Sequence, residues 1–382
     1  MVLQLSKNSN VEPIFLNWNF MTTRLLIGLV FFVTMFLINC NDKSSNPPMQ
    51  KQQYSPGNPT LLSTNSPTKD EDPSAVITAD GKIFVAWFSD RTGNGDIYIA
   101  MTSDGKTWTA PVRVTSNAGG EFNPSLYLDN SGVFHLAWFR WTAPYVGNIV
   151  YNTSADGLTW NQGSEESVTT TPNVDDWVPT LTQAPDSTLL VFFVSAKRNT
   201  SDITNDIYVA RKRAGQSTWD SAQYLFDINS NFEHSHLPVA YGSDSIVTLA
   251  WVRYDTTEAT PWLNPKSQLM YATSWDGLSW SATSYITNEA GNVVNLYPSL
   301  YVDAFDRLTV VWLSTRVGGT PTVFEIAMAF TSLYPIGIVQ DTMLPAGYSH
   351  KIVPTSTPGV YFAVWVQGPD GSQDIYYRLF TR

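Results

Sequence analysis

The sequence is poor in charge, in cysteine and in helix signals, and each shortage excludes something. It has one cysteine in 382 residues, so no internal disulfide forms and the fold stands on packing alone. Charged residues make up 14% and apolar residues 43%, a balance that excludes a solvated, disordered body. There are 22 basic against 33 acidic residues, a net charge of −11. With no basic stripe anywhere, nucleic acid is excluded as a partner. The four histidines and the carboxylates show no fixed ligand spacing, so neither a metal site nor a cofactor is expected. No apolar run reaches the roughly 20 residues of a spanning helix. After the first 40 residues, no segment keeps helical periodicity over three turns.

The one marked apolar run is LLIGLVFFVTMFLI, Leu25–Ile38, preceded by Arg24 and followed by Cys40. A basic residue, a short apolar stretch and a cleavage point are the parts of a secretory signal. Met21 is an alternative start. The tetrapeptide LINC resembles a bacterial lipobox, although Asn39 replaces the usual small residue. That resemblance implies lipidation of Cys40 and attachment to a membrane of the bacterial envelope, periplasmic or at the cell surface. The following stretch, rich in Pro, Ser and Gln, reads as a tether. The expected organisation is a leader over 1–39, a lipidated cysteine and tether over 40–57, and one domain over 58–382.

Aromatic residues, by contrast, are abundant: 13% of the chain, including 14 Trp. Many recur in order. The strings IFVAWFS, FHLAWFR, LLVFFVS, VTLAWVR, LTVVWLS and YFAVWVQ carry Trp87, Trp138, Phe193, Trp251, Trp312 and Trp365. Each is followed by a second string of the DIYIAMTS type. Most are preceded by a segment that begins at a proline, such as NPSLYLD or YPSLYVD. All are runs of four to eight residues rich in β-branched and aromatic side chains, bounded by turn residues. Four such strands per unit, repeated six times, predict an all-β fold: a six-bladed β-propeller of four-stranded antiparallel blades. The sixth unit lacks a fourth strand, and NPTLLSTNSP (Asn58–Pro67) matches the missing pattern. The N-terminal strand is therefore expected to close the last blade, which leaves no free sheet edge. One copy builds the whole domain, so a monomer is expected.

A further motif follows three of the second strings: TSDGKTW (Thr102–Trp108), SADGLTW (Ser154–Trp160) and SWDGLSW (Ser274–Trp280). The third unit keeps only AGQSTW (Ala214–Trp219). Asp-Gly between strands is a hairpin signal, because glycine tolerates φ > 0. The pattern resembles the Asp box of the sialidase-like propeller superfamily, and the resemblance covers nearly all of the chain after the tether. Asp104, Asp156 and Asp276 belong to different units and cannot converge, so they are read as structural. These turns and the first-to-second-strand turns share one end of each meander. Function is expected at the other end, where the sequence varies.

That other end is rich in chemistry. Ahead of the first strands stand Glu71 and Asp72; Glu121; Asp175, Asp176 and Trp177; Glu233, His234 and His236; Asn295 and Tyr297; Tyr348 and His350. Resemblance to known propellers places these beside a central channel. The loops between second and third strands carry Arg91, Arg140, Arg198, Arg253 and Arg316. Arg91–Asp96, Arg198–Asp206 and Arg316–Glu325 are expected to be ion pairs across each loop, leaving Arg140 and Arg253 as free ligands. Trp141, Trp177 and Trp262 are left over from the structural landmarks. Trp beside carboxylates is how sugar rings are held, stacked on a face and bonded at an edge. The candidate ligand-binding residues are Arg140, Trp141, Trp177, His236, Arg253, Trp262 and Tyr348. The candidate catalytic residues are Asp72, Asp175, Asp176, Glu233 and Tyr297.

Resemblance to the sialidases also implies three arginines for a substrate carboxylate, a Tyr–Glu nucleophile pair and an Asp acid/base. The first of those arginines belongs in an Arg-Ile-Pro motif, and here the place reads EDPSAV (Glu71–Val76), with the proline and without the arginine. Three readings follow: a propeller that binds glycan or glycoconjugate, a glycoside hydrolase using two of the carboxylates, and a protein-interaction scaffold, since FSDRTGNGDIY (Phe88–Tyr98) also resembles TolB-type repeats. The first is favoured.

Overall fold

The computed structural model describes residues 53–63, 67–143, 146–196, 205–226, 232–235, 239–241, 246–255, 266–289, 291–302, 307–328, 339–340, 344, 347–369 and 371–381. Cys40, the leader and most of the tether lie outside them. Every regular element among the described residues is a strand.

The strands pair as antiparallel meanders of one plan. The first runs through Asp70–Ile77, Ile83–Ser89, Asp96–Thr102 and Val112–Arg113. The second follows at Glu121–Leu128, Phe134–Ala143, Val146–Ser154 and Glu166–Ser167. A third comprises Asp175–Gln183, Leu189–Ala196, Asn205–Lys212 and Gln223–Phe226. In the fourth the first strand is in two pieces, Phe232–Ser235 and Val239–Tyr241, before Val247–Asp255, Ser267–Ser274 and Ser284–Tyr285. The fifth is Asn295–Val302, Leu308–Val317, Thr320–Met328 and Val339–Gln340. The sixth contributes Tyr348–Pro354, Val360–Gln367 and Asp374–Thr381. Its fourth strand is Thr60–Leu61, which lies opposite Tyr377 and Tyr376.

Strand alternation explains why the second strands are apolar throughout. In the first meander Val85 and Trp87 face one way, into a cluster shared with Val364 and Phe362 of the sixth. Phe84 and Ala86 face the other way, into a cluster shared with Leu136 and Trp138 of the second. Successive side chains point to opposite faces, so a strand covered on both sides reads as a continuous apolar run. The same holds between second and third, third and fourth, fourth and fifth, and fifth and sixth. Within these clusters a small residue of one meander meets the large aromatic of the next: Ala86 with Trp138, Ala137 with Phe193, Ala250 with Trp312. The recurring Ala-Trp dipeptide is thus a hole on one face and a knob on the other.

The Asp-Gly turns fasten neighbouring meanders. In each, the Asp carboxylate accepts two backbone N–H bonds, as from Leu158 and Thr159 to Asp156 at 2.9 and 2.6 Å. The Ser or Thr hydroxyl accepts from the glycine N–H, at 3.0 Å for Ser154 and Gly157. Gly157 has φ +73°, and a Cβ there would stand 2.7 Å from Phe84 of the preceding meander.

These bonds hold the Asp156 and Asp276 carboxyls at about 2 and that of Asp104 lower still, chiefly through backbone N–H donation. A carboxyl with a depressed folded-state pKa stabilises above its unfolded value and loses that contribution as pH falls through the folded one. The Asp156→Ala variant is expected to lose about 1–2 kcal/mol at neutral pH, and less on acidification from pH 4 toward 2, read by denaturant titration. Trp138→Ala, which empties a knob, is expected to lose ~3–5 kcal/mol at any pH.

Candidate functional site

The first strands carry the same irregularity in five meanders. Two residues stand opposite one, and that one is the landmark aromatic: Asp72 and Pro73 opposite Trp87, and likewise at Asn123, Val178, Tyr297 and Ser349. The first residue of each bulge lies in the left-handed region, with φ of 52° for Asp72, 50° for Asn123, 49° for Val178, 52° for Tyr297 and 53° for Ser349. Such a conformation costs of order 1–3 kcal/mol in a non-glycine residue. A bulge re-aims a side chain, and here five re-aim toward one place. They line a cavity of about 120 Å³ together with the residues that follow each of them.

Its polar groups are few and close. The Asp72 carboxylate accepts from Asn123 Nδ2 at 2.7 Å and faces the Ser349 hydroxyl at 3.5 Å. Burial, reinforced by the charge of Glu71, pushes the Asp72 carboxyl up to about 7. Glu71 lies just outside, paired with Lys69 at 2.9 Å and accepting from the Tyr348 hydroxyl at 3.1 Å. The rings of Tyr348 and Tyr297 are 5.5 Å apart. Burial, with smaller contributions from Tyr254, Asp72 and Glu71, pushes the Tyr297 phenol up to about 12. One residue past the bulge, Ser74 accepts from the Leu126 N–H and Ser125 from the Leu181 N–H, both at 2.9 Å, tying adjacent first strands. At the matching position the sixth meander has Lys351, whose ammonium burial pushes down.

The predicted residues divide sharply. Asp72 and Tyr297 line the cavity, and Tyr348 touches its rim through Glu71. Asp176 does not: it is fully buried and accepts from Ser195 at 2.5 Å. It holds the place where Asp70, Glu121 and Asn295 accept the indole N–H of Trp87, Trp138 and Trp312. Asp175 lies opposite Gly147, which pairs on its other side with Trp141, so these two candidates flank one strand at the edge between the second and third meanders. Trp141 is 48% exposed and packs on Phe122 and Phe139. Trp177 is instead part of the apolar packing on both sides of the third meander. Glu233 is placed by its backbone alone, opposite Tyr254; His236 and Trp262 lie outside the described residues.

The arginines differ from expectation. Arg140 is no free ligand: it bonds Glu121 at 2.5 Å and approaches Glu165 at 3.5 Å. Arg253 donates to the Tyr285 hydroxyl at 2.8 Å. Arg91 pairs with Asp70, not Asp96, which takes Arg113; Arg316 pairs with Glu289. Arg91 and Arg140 thus reach buried carboxylates on the adjacent first strands, Asp70 and Glu121, and Arg253 a phenol; Arg198 and the Glu325 side chain lie outside the described residues. Asn123, Ser349 and Lys351 were missed by sequence reasoning; the position just before the repeated proline would have indicated Asn123, while the sixth meander has His350 in place of that proline. Among the described residues no group of three His, Cys, Asp or Glu could hold a metal ion.

No family model and no curated protein matches the chain. Solved structures do. An α-L-arabinanase of Penicillium chrysogenum complexed with arabinobiose is 13% identical, with a TM-score of 0.64, covering 88% of this chain and 96% of that one. An α-L-arabinofuranosidase of Fusarium graminearum in complex with arabinobiose is 14% identical, TM-score 0.63, covering 82% and 93%. The NanB sialidase of Streptococcus pneumoniae is 11% identical, TM-score 0.58, covering 85% and 71%. The likeness is one of fold: the chain is an all-β protein whose fold is similar to that of these propellers.

Proposed function

We propose that the chain is a six-bladed propeller that takes a glycan at the cavity ringed by the five bulges and cleaves a glycosidic bond there. Support for six blades comes from the six shared apolar clusters, the last joining the sixth meander to the first. The observation that carries the chemistry is Asp72: a carboxyl at the convergence of the bulges, with a pKa of about 7, bonded to Asn123 and beside Tyr297. Such a carboxyl holds its proton near neutrality and can pass it to a leaving oxygen, the role of the acid in glycoside hydrolysis. Glu71, fixed by Lys69 and Tyr348, is the second carboxylate. Arabinans and sialosides, the ligand and activity named for the similar structures, are the first substrates to try. Trp141 with Asp175 would extend the glycan surface toward the edge.

A second reading, recognition without turnover, is favoured by the sequence EDP where the sialidases have Arg-Ile-Pro. We propose also that Cys40 anchors the domain, as a monomer, to a membrane of the bacterial envelope.

The two readings separate in one experiment. The full chain is assayed on a panel of arabinosides and sialosides, with binding followed in parallel. Hydrolysis is expected, with kcat/KM falling as pH rises through about 7, because only protonated Asp72 serves. Asp72→Asn is expected to cut kcat by roughly 10²–10⁴-fold with binding retained. Binding without turnover in the unaltered chain would select the second reading. Neither turnover nor binding would refute both.

A further inference from the structure

Among the described residues, the third meander lacks the fastening turn. A Cβ at Gly105 would stand 2.7 Å from Leu379, at Gly157 2.7 Å from Phe84, and at Gly277 2.7 Å from Leu190. In each case the turn of one meander is seated on the meander before it. The third meander has lost the Asp-Gly pair, and its turn reads Arg213-Ala214-Gly215-Gln216. With Trp219 aligned on Trp160, Gly215 stands at the Asp position and Gln216 at the glycine position. A cavity of about 580 Å³ lies between this turn and the second meander. That volume is within the ~300–1,000 Å³ of small-molecule sites. It opens at the end of the sheets opposite to the bulge cavity.

The charges at its walls are unequal. The one lining carboxylate, Asp129, is already engaged. It accepts from the Ser131 N–H and hydroxyl and from the Val133 N–H at 2.7–2.9 Å. Its other oxygen lies 3.2 Å from His135 Nε2. His135 in turn holds the Tyr151 hydroxyl through Nδ1 at 2.6 Å, so neither ring nitrogen is left to act. Burial pushes the imidazole pKa down, against the opposing pull of Asp129. Against this stand two cations. Lys212 is braced by Glu166 from outside the lining, at 2.5 Å. Arg213 gives one nitrogen to Asp220 at 3.2 Å and is 54% exposed. An ammonium has three donors and a guanidinium five, so both have N–H groups to spare. Ser187 and Gln216 add neutral polar groups to the same walls.

We infer that this cavity is a second binding site, for a small molecule carrying a carboxylate or phosphate group that Arg213 and Lys212 hold. The loss of the Asp-Gly turn is what opened it. Its existence is independent of the glycan reading of the bulge cavity.

Calorimetric titration of the full chain tests it with three probes of one size: glucuronate, glucose 6-phosphate and neutral glucose. Binding of one or both anions at millimolar or lower concentration is expected, with glucose roughly tenfold weaker or worse. The anion that binds identifies the group. Arg213→Ala, an exposed position that leaves the core intact, is expected to weaken it about tenfold. Gly215→Asp with Gln216→Gly restores the fastening turn, and is expected to raise Tm and abolish binding. Asp72→Asn is expected to leave anion binding unchanged, which separates this site from the first. Absence of binding by both anions, or equal binding by Arg213→Ala and the unaltered chain, overturns the inference.

Discussion

Everything in this molecule depends on covering both faces of the second strands. Each strand presents alternate residues to two neighbours, and neither face is left to water. Trp87, Trp138, Trp251, Trp312 and Trp365 are each at most 2% exposed. No meander could be stable by itself, because each has two apolar faces and needs a partner for both. The size alternation makes the contact directional, since a knob fits only the hole of the meander before it. Ala precedes Trp in the first, second and fourth meanders and Val precedes it in the fifth and sixth; in the third, Phe192 and Phe193 take these two places. Phe193 then meets Ala137, and Phe192 meets Trp251.

That packing also sets the site. The bulges stand opposite the landmark aromatics, and the buried acceptors two residues earlier hold the indole N–H groups. The strand is pinned on one side of the bulge and tied by Ser74 or Ser125 on the other. A residue at positive φ between two such fixed points has little freedom. The strain is supported by the core behind it, and the cavity is held by scaffold rather than by loops. In the sixth meander the arrangement is altered: Gly347 stands at the acceptor position, where a Cβ would meet Trp365, and that indole turns to Gln367 instead.

The sequence shows the strands, their order, the fastening turns and the N-terminal completion of the last sheet, because each leaves a repeating local mark. It does not show which carboxylates reach the centre. Asp72 and Asp176 precede a proline by one and three residues, and one lines the cavity while the other holds Ser195 in the core. Two residues of register separate them, and only the first falls in a bulge. A left-handed Asp, Asn, Tyr or Ser carries no sequence mark as glycine does. The partner of Arg91 was misassigned for a related reason. Arg91 and Asp96 are neighbours along the loop, but Asp70, on the adjacent strand, is the nearer neighbour in space. Pairing across a sheet follows register, not separation along the chain.

The strand Thr60–Leu61 has a consequence of another kind. Its neighbour Ser63 donates to Asp374, 311 positions further along the chain, and its pairing partners lie in the final strand. During synthesis this segment is made first and must wait for nearly all the rest. Until the last strand emerges, the first meander has one bare apolar face around Val85 and Trp87, and Thr60–Leu61 has no edge to join. Contacts this distant in sequence are slow to form. A chain in which this pairing has not formed therefore exposes apolar surface around Val85 and Trp87 and an unpaired edge on Asp374–Thr381.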